Sequence, residues 1–388
     1  MHCTNQAGRA KPTVLGVERI HNPHIIPIFD ELYRRPEIDF TGCVLLPLFP
    51  DRVALGWTEI DEASPYIQPW RSAEQRARYH AAAASADVVI WPGLKHPRGM
   101  RMILKRNLQG KINMLWAERF LGKRRRPWYE YQAMRMMVRL ANSRYVHLMT
   151  MGQGAAEEYR AFGATRWTMW QFGYAVRPVI ESDHDLTPAP DGVLRLLFVG
   201  GLRKLKGIDV LFQALSRADL AQKRWTLRIV GAGQERGALE ALAGQLHLSN
   251  RVEFAGAITH DKIDEVYGQA DVLILPSRVE GWGAPVNEAM EHGLAIVASD
   301  AVGCARILVK EGLNGFVFPS ADVDALADCL GRVLGEPGLC ASMRRASRER
   351  IEQFRPAEAA RRVAAVCRAI TGHGPMPDFP DGYCRALD

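Results

Sequence analysis

The sequence lacks the features that mark several special classes of protein. It has no run of about 18 apolar residues, and its beginning, MHCTNQAGRAKP, has no apolar core of signal-peptide length. The seven cysteines are scattered and never spaced as CxxC, which argues against a disulfide framework and a zinc site. The Walker pattern GxxxxGK[ST] is also absent. We therefore expect a cytoplasmic protein with reduced thiols and no membrane span.

What is present indicates two domains. The 388 residues exceed a usual single-domain length of roughly 150. Strand-like apolar runs alternate with helical periodicity, which predicts an α/β fold with doubly wound parallel sheets. We expect an N-terminal Rossmann-like domain in residues 1–180, a polar linker in 181–191, and a C-terminal domain in 192–371. The irregular tail, 372–388, can pack back on the N-terminal domain. Ligands of such sheets bind beyond the carboxyl ends of the strands.

The most specific motif is LILPSRVEGWGAPVNEAMEHG, residues 273–293. It predicts a buried strand, a loop with glycines on both sides of Trp282, and a helix that begins near Pro285. The N–H groups at a helix start bind anions such as a diphosphate. Glu288 can bind a ribose diol there, while Glu280 lies nearer the reacting end. Two alternatives are open at this point: the carboxylates cap the helix, or they flank the bond that a glycoside hydrolase cleaves.

A second motif, LRLLFVGGLRKLKGIDVLFQAL, places a basic loop directly after a strand. Gly200 and Gly201 end the strand, and Arg203, Lys204 and Lys206 follow. Fixed cations beside a glycine turn can hold a diphosphate without a metal ion. This loop is therefore a second candidate for anion binding.

A third motif, LRIVGAGQERGALEAL, has part of the Rossmann dinucleotide pattern. Arg236 stands where the third glycine of GxGxxG belongs, and the motif lies in the middle of the chain. We interpret it as a strand-to-helix turn. A nicotinamide-dependent oxidoreductase is accordingly the least favoured function.

Together and in this order, the motifs resemble the donor-binding half of retaining glycosyltransferases of family four, which have the GT-B fold. The matching pieces are GGLRKLKG, VGAGQE, RVEFAGAI, ADVLILPS and EGWGAPVNEA, and the likeness continues through HGLAIVASDAVG and GLNGFVFP. It spans residues 194–327, whereas the N-terminal half resembles the family only in its overall pattern. The resemblance implies two Rossmann-like domains facing across a cleft.

The resemblance also implies a nucleotide-diphosphate-sugar donor, an acceptor held by the N-terminal domain, and transfer that retains the anomeric configuration, with no metal or other cofactor. Lys206 would neutralise the leaving diphosphate, and Glu280 would contact the sugar. The donor-binding residues would be Gly200, Gly201, Val252, Gly281, Trp282, Gly283, Ala284 and Glu288. The acceptor would be a glycan or a lipid-linked molecule, in cell-surface polysaccharide or glycoconjugate biosynthesis.

The chain departs from the family pattern at several places. Gly201 stands where the family commonly has arginine, and we expect Arg203 to substitute for it. Glu118 follows the strand INMLW in a region where many members have a catalytic histidine, and we expect it near the sugar. The first strand continues as ERIHNPHII instead of a glycine-rich loop. This makes His21, Asn22 and His24 candidates for contact with the acceptor.

These departures leave a second function open, that of a catalytically silent nucleotide- or sugar-binding protein of the same fold.

Charge adds a further hypothesis, because ten basic residues and a single acid lie between Arg98 and Arg126. Together with the adjoining WYEYQAMRMM, this segment suggests an anionic membrane surface as a partner, which would make the protein peripheral on the cytoplasmic face. The simpler interpretation is a solvated basic face, with Trp128 and its neighbours in the core. Nucleic acid is not expected, since no reader motif is present.

Overall fold

The computed structural model describes residues 11–54, 56–94, 97–120, 127–152, 154–179 and 192–387. The predicted linker, 181–191, and the basic run at 123–126 lie outside the described residues. The strands are β1 (Thr13–Glu18), β2 (Asp39–Val44), β3 (Val88–Trp91), β4 (Ile112–Glu118), β5 (Val146–Met151), β6 (Thr168–Phe172), β7 (Leu194–Val199), β8 (Trp225–Val230), β9 (Val252–Gly256), β10 (Val272–Leu275), β11 (Ala295–Ser299), β12 (Gly315–Phe318) and β13 (Ala386–Leu387).

The helices alternate with the strands along the chain. They are α1 (Ile26–Tyr33), α2 (Pro50–Val53), α3 (Ala73–Ser85), α4 (Pro97–Leu108), α5 (Trp128–Leu140), α6 (Ala155–Phe162), α7 (Ile208–Leu215), α8 (Ala218–Ala221), α9 (Arg236–Gln245), α10 (Ile263–Gly268), α11 (Ala284–Glu291), α12 (Ala305–Leu308), α13 (Val323–Gly335), α14 (Leu339–Ile351) and α15 (Pro356–Ile370). The α/β class predicted from this alternation is confirmed.

The chain forms two compact units, and the first contains residues 11–53, 58–177 and 353–387. Its sheet has the order β13-β6-β5-β4-β3-β1-β2 and is parallel except for β13. Strands β3 and β5 are buried at every position, which explains the unbroken apolar sequence of β3, VVIW, whereas β5 buries His147 and Thr150 among its apolar residues. Ile103 of α4, Val138 of α5 and Phe162 of α6 belong to one buried core, so these helices cover the same face of the sheet.

The last part of the chain belongs to the first unit, although the predicted boundary placed α15 in the C-terminal domain. Helix α15 packs against α1 and buries a stripe that includes Ala359, Val363 and Cys367. The tail then adds β13 antiparallel to β6, where the sequence predicted only irregular structure. In this tail Cys384 N donates to the Gln171 carbonyl at 2.7 Å, and the Tyr383 hydroxyl donates to the Tyr174 carbonyl.

The second unit contains residues 54, 56–57, 178–179 and 192–352. Its sheet is parallel throughout, with the order β12-β11-β10-β7-β8-β9. Strands β7 and β10 are neighbours, and their carboxyl ends lead into the basic loop and the Trp282 loop respectively. The fold of this unit therefore brings the two predicted anion-binding motifs to one edge of one sheet.

Strand β2, Asp39–Val44, ends before Pro47, which lacks the N–H that a sheet ladder requires. Helix α5 only partly fits the interpretation that places Trp128 and its neighbours in the core. Its residues Met134 and Val138 are buried. Trp128 and Tyr129, however, are 76% and 59% exposed, so these aromatic residues are not in the core.

Candidate active site

The basic loop and the Trp282 loop meet through an ion pair. The Lys206 ammonium, on the short 3-10 helix Lys204–Lys206 after β7, donates a hydrogen bond to Glu280 Oε2. The two side chains are 18% and 19% exposed, so each is largely shielded but still reaches solvent. Ser277 Oγ also lies 3.4 Å from Glu280 Oε2. A cation and a carboxylate from the two predicted motifs thus form one polar centre.

Gly207 sets the distance between these two loops. Its φ is +68°, in the left-handed region, and it begins α7. A Cβ atom at this position would lie 2.0 Å from the Pro276 carbonyl oxygen, closer than any real contact. Only glycine allows the backbone after Lys206 to approach the end of β10 in this way.

Arg278 fixes the same two loops from the other side, and no motif in the sequence pointed to it. Its guanidinium donates to both Asp209 carboxylate oxygens at 2.7 Å and to the Lys204 carbonyl at 2.8 Å. Partial burial raises the pKa of Asp209, but the hydrogen bonds and charge of Arg278, together with backbone N–H groups, outweigh it and hold that pKa below its ordinary value. Arg278 is therefore a positioning residue for the loop that carries Lys206.

The start of α11 presents backbone rather than side chains. Gly283 caps this helix with φ +98°, and a Cβ there would lie 2.6 Å from Val302 Cγ1. The Trp282 side chain is 1% exposed, and its Nε1 donates to Asn287 Oδ1 at 2.7 Å. Because it is buried, the Trp282 side chain cannot contact a ligand. The predicted donor contacts at this place can come only from the backbone of Gly281, Trp282, Gly283 and Ala284.

The two glutamates of the motif have different partners. Glu280 pairs with Lys206, whereas Glu288 accepts a hydrogen bond from the buried Tyr267 hydroxyl at 2.6 Å. Burial, reinforced by the Glu288 charge, holds the pKa of Tyr267 well above its ordinary value, so the phenol stays protonated and donates. Helix α11 has no side-chain N-cap, so the alternative in which the glutamates cap it is not supported.

The third motif shapes the basic loop. A Cβ at Gly231 would lie 1.9 Å from the Gly200 carbonyl oxygen, and one at Gly233 would lie 2.2 Å from the Leu202 carbonyl oxygen. These glycines allow the turn after β8 to pack directly against the loop after β7. Their presence in the sequence is explained by this close packing, without a dinucleotide.

Arg203, which we expect to take the role of the family's arginine, lies beside Gly201, where that arginine commonly stands. A Cβ at Gly201 would be 3.9 Å from Arg203 Nε and 3.7 Å from the Ala232 carbonyl oxygen, both ordinary contact distances. Arg203 itself is exposed. Its guanidinium therefore reaches the space that a side chain at Gly201 would enter.

Val252 does not lie with the other predicted donor residues. It is the first residue of β9 and pairs with Leu227, whereas the carboxyl end of the strand is Gly256, paired with Val230. Four residues of strand span roughly 13 Å. The residue of β9 at the carboxyl edge of the sheet is therefore Gly256, at the other end of the strand from Val252.

The first unit has a cavity of about 250 Å³ at the carboxyl ends of its strands. Glu18 at the end of β1 and Glu118 at the end of β4 both line it, with Asn22, Arg119 and Tyr174. The Tyr174 hydroxyl donates to Glu118 Oε1 at 2.7 Å. The cavity therefore contains two of the predicted residues, Asn22 and Glu118.

The predicted histidines lie beside this cavity without lining it. His21 Nδ1 is 2.8 Å from the Thr58 carbonyl oxygen, and the His24 ring is 5.3 Å from the Tyr174 ring. The Asn22 side chain accepts a hydrogen bond from the His24 backbone N–H at 3.0 Å. These contacts make the histidines structural neighbours of the cavity.

Glu18 is the residue of this cavity that the sequence patterns did not reveal. It is 8% exposed, and burial raises its pKa from 4.5 to about 7, although the Arg19 N–H bond at 2.9 Å opposes this shift. The only signal was a single acidic residue at the end of an apolar strand, TVLGVE. An ionisable group at a strand end that faces a cavity is a typical functional residue.

The raised pKa of Glu18 predicts a pH-dependent stability that Glu18→Gln removes. Between pH 4.5 and 7 the folded protein holds a proton on Glu18 that the unfolded chain has released, so the free energy of unfolding falls as pH rises. The loss is complete above about pH 7 and amounts to at most about 3 kcal/mol. Urea unfolding of the two proteins across this range should show Glu18→Gln gaining stability over the wild type as pH increases.

The exposed Glu349→Gln serves as the control for this measurement, since no comparable burial affects that side chain. A wild-type curve parallel to that of Glu18→Gln over the whole range would contradict the prediction.

Among the residues that the structure describes, no three His, Cys, Asp or Glu side chains gather closely enough to hold a metal ion. The charged groups at the edge of the second unit are instead Lys206, Arg203, Glu280 and Glu288. These groups can bind an anion and hydroxyl groups.

Solved structures share this two-unit architecture over nearly the whole chain. A lipopolysaccharide outer core galactosyltransferase, WaaB, aligns with 93% of this chain and 99% of its own, with a TM-score of 0.65 and 20% identity. HepE of Anabaena, solved in complex with UDP, aligns with 91% of this chain and 98% of its own, with a TM-score of 0.64 and 18% identity. The protein has the GT-B fold, as the resemblance implied.

Residues 179–350 match the family described as glycosyl transferases group 1. This match confirms the resemblance of the ordered motifs in this part of the chain to that family. An uncharacterized glycosyltransferase of Methanocaldococcus jannaschii is 36% identical over 144 residues, which make up 37% of this chain and 36% of that protein. The chain spans between about a third and a half of the length of the first curated relatives it matches.

Proposed function

We propose that the protein is a retaining glycosyltransferase that moves a sugar from a nucleotide-diphosphate-sugar to a hydroxyl group of a glycan or lipid-linked acceptor. The observation that carries the proposal is the Lys206–Glu280 pair beside the start of α11. It combines a cation, a carboxylate and the backbone N–H groups of a helix start at one sheet edge, where ligands of parallel sheets bind.

The donor's diphosphate is assigned to the positive groups of this edge. Breaking a glycosyl–phosphate bond places negative charge on the departing oxygen, and fixed cations and helix N–H groups stabilise it. Lys206 and Arg203 supply the cations, and the backbone of Gly281–Ala284 supplies the N–H groups. Glu280 then faces the sugar, and Glu288, oriented by Tyr267, accepts the ribose hydroxyls. Because HepE binds UDP, uridine diphosphate sugars are the first donors to test.

The acceptor is assigned to the cavity of the first unit. Glu18, Glu118 and Asn22 offer oxygen atoms that accept hydrogen bonds from hydroxyl groups, and Arg119 adds a cation at the rim. Such a set of groups fits a polyhydroxylated molecule better than an apolar one. This supports a sugar-bearing acceptor of the kind used to build cell-surface polysaccharides and glycoconjugates.

A panel of nucleotide sugars tests the function directly. Hydrolysis of at least one donor, or transfer from it to added glycans with retained configuration, is expected from the purified protein. Calorimetric binding of a nucleotide diphosphate without turnover of any donor would instead support the silent binding protein.

Arg203 offers a test of the departure at Gly201. We expect Arg203→Ala to raise the donor KM about tenfold, since a charged hydrogen bond contributes roughly 1.5–3 kcal/mol. The double variant Gly201→Arg/Arg203→Ala should recover most of this loss, because a side chain at 201 meets only ordinary contacts. Donor-dependent hydrolysis at varied donor concentration gives both values. A double variant no better than Arg203→Ala would refute the substitution.

A metal-independent reaction is part of the same proposal. Treatment with EDTA followed by desalting should leave the rate of donor turnover unchanged, because protein cations neutralise the diphosphate. Readdition of magnesium or manganese should then have no effect. A rate that disappears with EDTA and returns with either metal would contradict this.

A further inference from the structure

Helix α5 exposes large apolar side chains on its outer side. Trp128 is 76% exposed, Tyr129 and Met136 are each 59% exposed, and Leu140 is 58% exposed. The inner side of the helix is fully used, since Met134 and Val138 are buried in the core. The outer apolar residues are therefore additional to those that hold the helix in place.

These side chains form a stripe. At 3.6 residues per turn, positions 129, 136 and 140 lie within a sector of about 40° on the helix surface, and 128 and 139 lie on one flank of it, about 60–80° away. Arg139 on this flank is exposed as well. We call Trp128, Tyr129, Met136, Arg139 and Leu140 the outer face of α5.

Helix α4, on the same face of the sheet, adds positive charge. Arg101 and Lys105 are exposed on α4, which covers the same face of the sheet as α5. Not every base of the segment contributes: Arg106 is 2% exposed and donates to the carbonyls of Ala83 and Ala86 inside the unit. The sequence places four further bases, at 123–126, directly before α5.

We propose that the outer face of α5, with Arg101 and Lys105, docks the protein on an anionic lipid surface. Aromatic and aliphatic side chains with bases at their border are the composition that binds the boundary between headgroups and acyl chains. The attachment is to the surface, since no described helix is long and apolar enough to cross a bilayer. This docking is independent of which sugar is transferred.

The same observations favour a membrane over nucleic acid. Phosphate contacts on a duplex use charge and hydrogen bonds, and they would leave Met136 and Leu140 in water. A lipid surface satisfies both sets of groups, because it offers anionic headgroups to the bases and acyl chains to the apolar stripe.

Vesicle flotation with the full chain tests the proposal. The wild-type protein should float with vesicles containing phosphatidylglycerol at low salt and remain at the bottom with pure phosphatidylcholine vesicles. Binding should weaken as salt increases, because charges that attract across water are screened. Failure to float with phosphatidylglycerol vesicles at low salt would overturn the proposal.

The chain offers a closely matched control for the apolar stripe. Met136→Ser/Leu140→Ser should reduce the partition coefficient at least about tenfold, as expected when two partly buried apolar side chains are lost. Met376→Ser/Leu313→Ser changes the same residue types at 59% and 55% exposure elsewhere on the protein and should leave binding unchanged. Equal losses in both double variants would contradict a specific docking face.

Charge reversal tests the contribution of the basic residues to vesicle binding independently of the apolar stripe. Arg101→Glu/Lys105→Glu should lower binding about 30-fold or more, since each base near an anionic surface contributes about 1 kcal/mol. Lys11→Glu/Arg345→Glu, which reverses one exposed lysine and one exposed arginine elsewhere, is the control. Donor hydrolysis in solution should be unaffected in all four variants. Preferential binding to a DNA duplex, lost with Arg101→Glu/Lys105→Glu, would assign the bases to nucleic acid instead.

Discussion

Lys206→Ala should lower kcat/KM for the donor about 100-fold to 1000-fold, the usual effect of removing one group that stabilises a developing anion. The variant removes the cation assigned to the leaving diphosphate and also leaves Glu280 without its partner. Both effects act on the same bond-breaking step. Initial rates of transfer or donor hydrolysis at varied donor concentration measure the change.

Lys204→Ala is the matched control, because Lys204 is on the same 3-10 helix but points an exposed side chain to solvent. It should retain nearly the wild-type rate. Circular dichroism should show both variants folded, since Lys206 lies on a short 3-10 helix after β7 and not in a core. Wild-type kinetics in Lys206→Ala would exclude the proposed donor site.

Gly207→Ala should destabilise the second unit by at least about 3 kcal/mol. The alanine must adopt a left-handed conformation and place its Cβ against the Pro276 carbonyl, so the backbone strain and the clash add. For a unit of this size the melting temperature should fall by roughly 10 °C. Differential scanning calorimetry, in which the two units can melt separately, measures this effect.

For Gly237→Ala, which is the same chemical change, we expect no loss of stability. Gly237 is in α9, and a Cβ there meets nothing within 4 Å. Alanine is the better helix former by about 1 kcal/mol, so this variant should be neutral or slightly more stable. Similar melting temperatures for the two variants would show that the close approach at Gly207 is not required.

The sequence predicted the α/β class with parallel sheets because parallel strands buried on both faces have mostly apolar runs. It failed for β13, since a strand of two residues, Ala386–Leu387, pairs through its backbone and needs no hydrophobic pattern. It also failed to place α15. The stripe of α15 shows that the helix is half-buried, but it does not show which unit it packs against.

The contact between Lys206 and Glu280 was largely predictable, because both residues belong to motifs that are defined by residue order along the chain. Arg278 was not predictable, since its partner Asp209 is 69 residues away and acts only after folding. Glu18 was missed for a similar reason. A single carboxylate becomes distinctive only when the fold buries it beside a cavity.

The return of the chain to the first unit affects how the protein must be made. Residues 353–387 leave the ribosome after all of the second unit, yet they cover α1 and the outer edge of β6. Until then the nascent first unit exposes an unpaired strand edge and an apolar helix surface, both of which promote aggregation. A fragment ending at residue 177 would keep this incomplete state permanently, whereas the second unit has every strand of its sheet as soon as β12 has been synthesised.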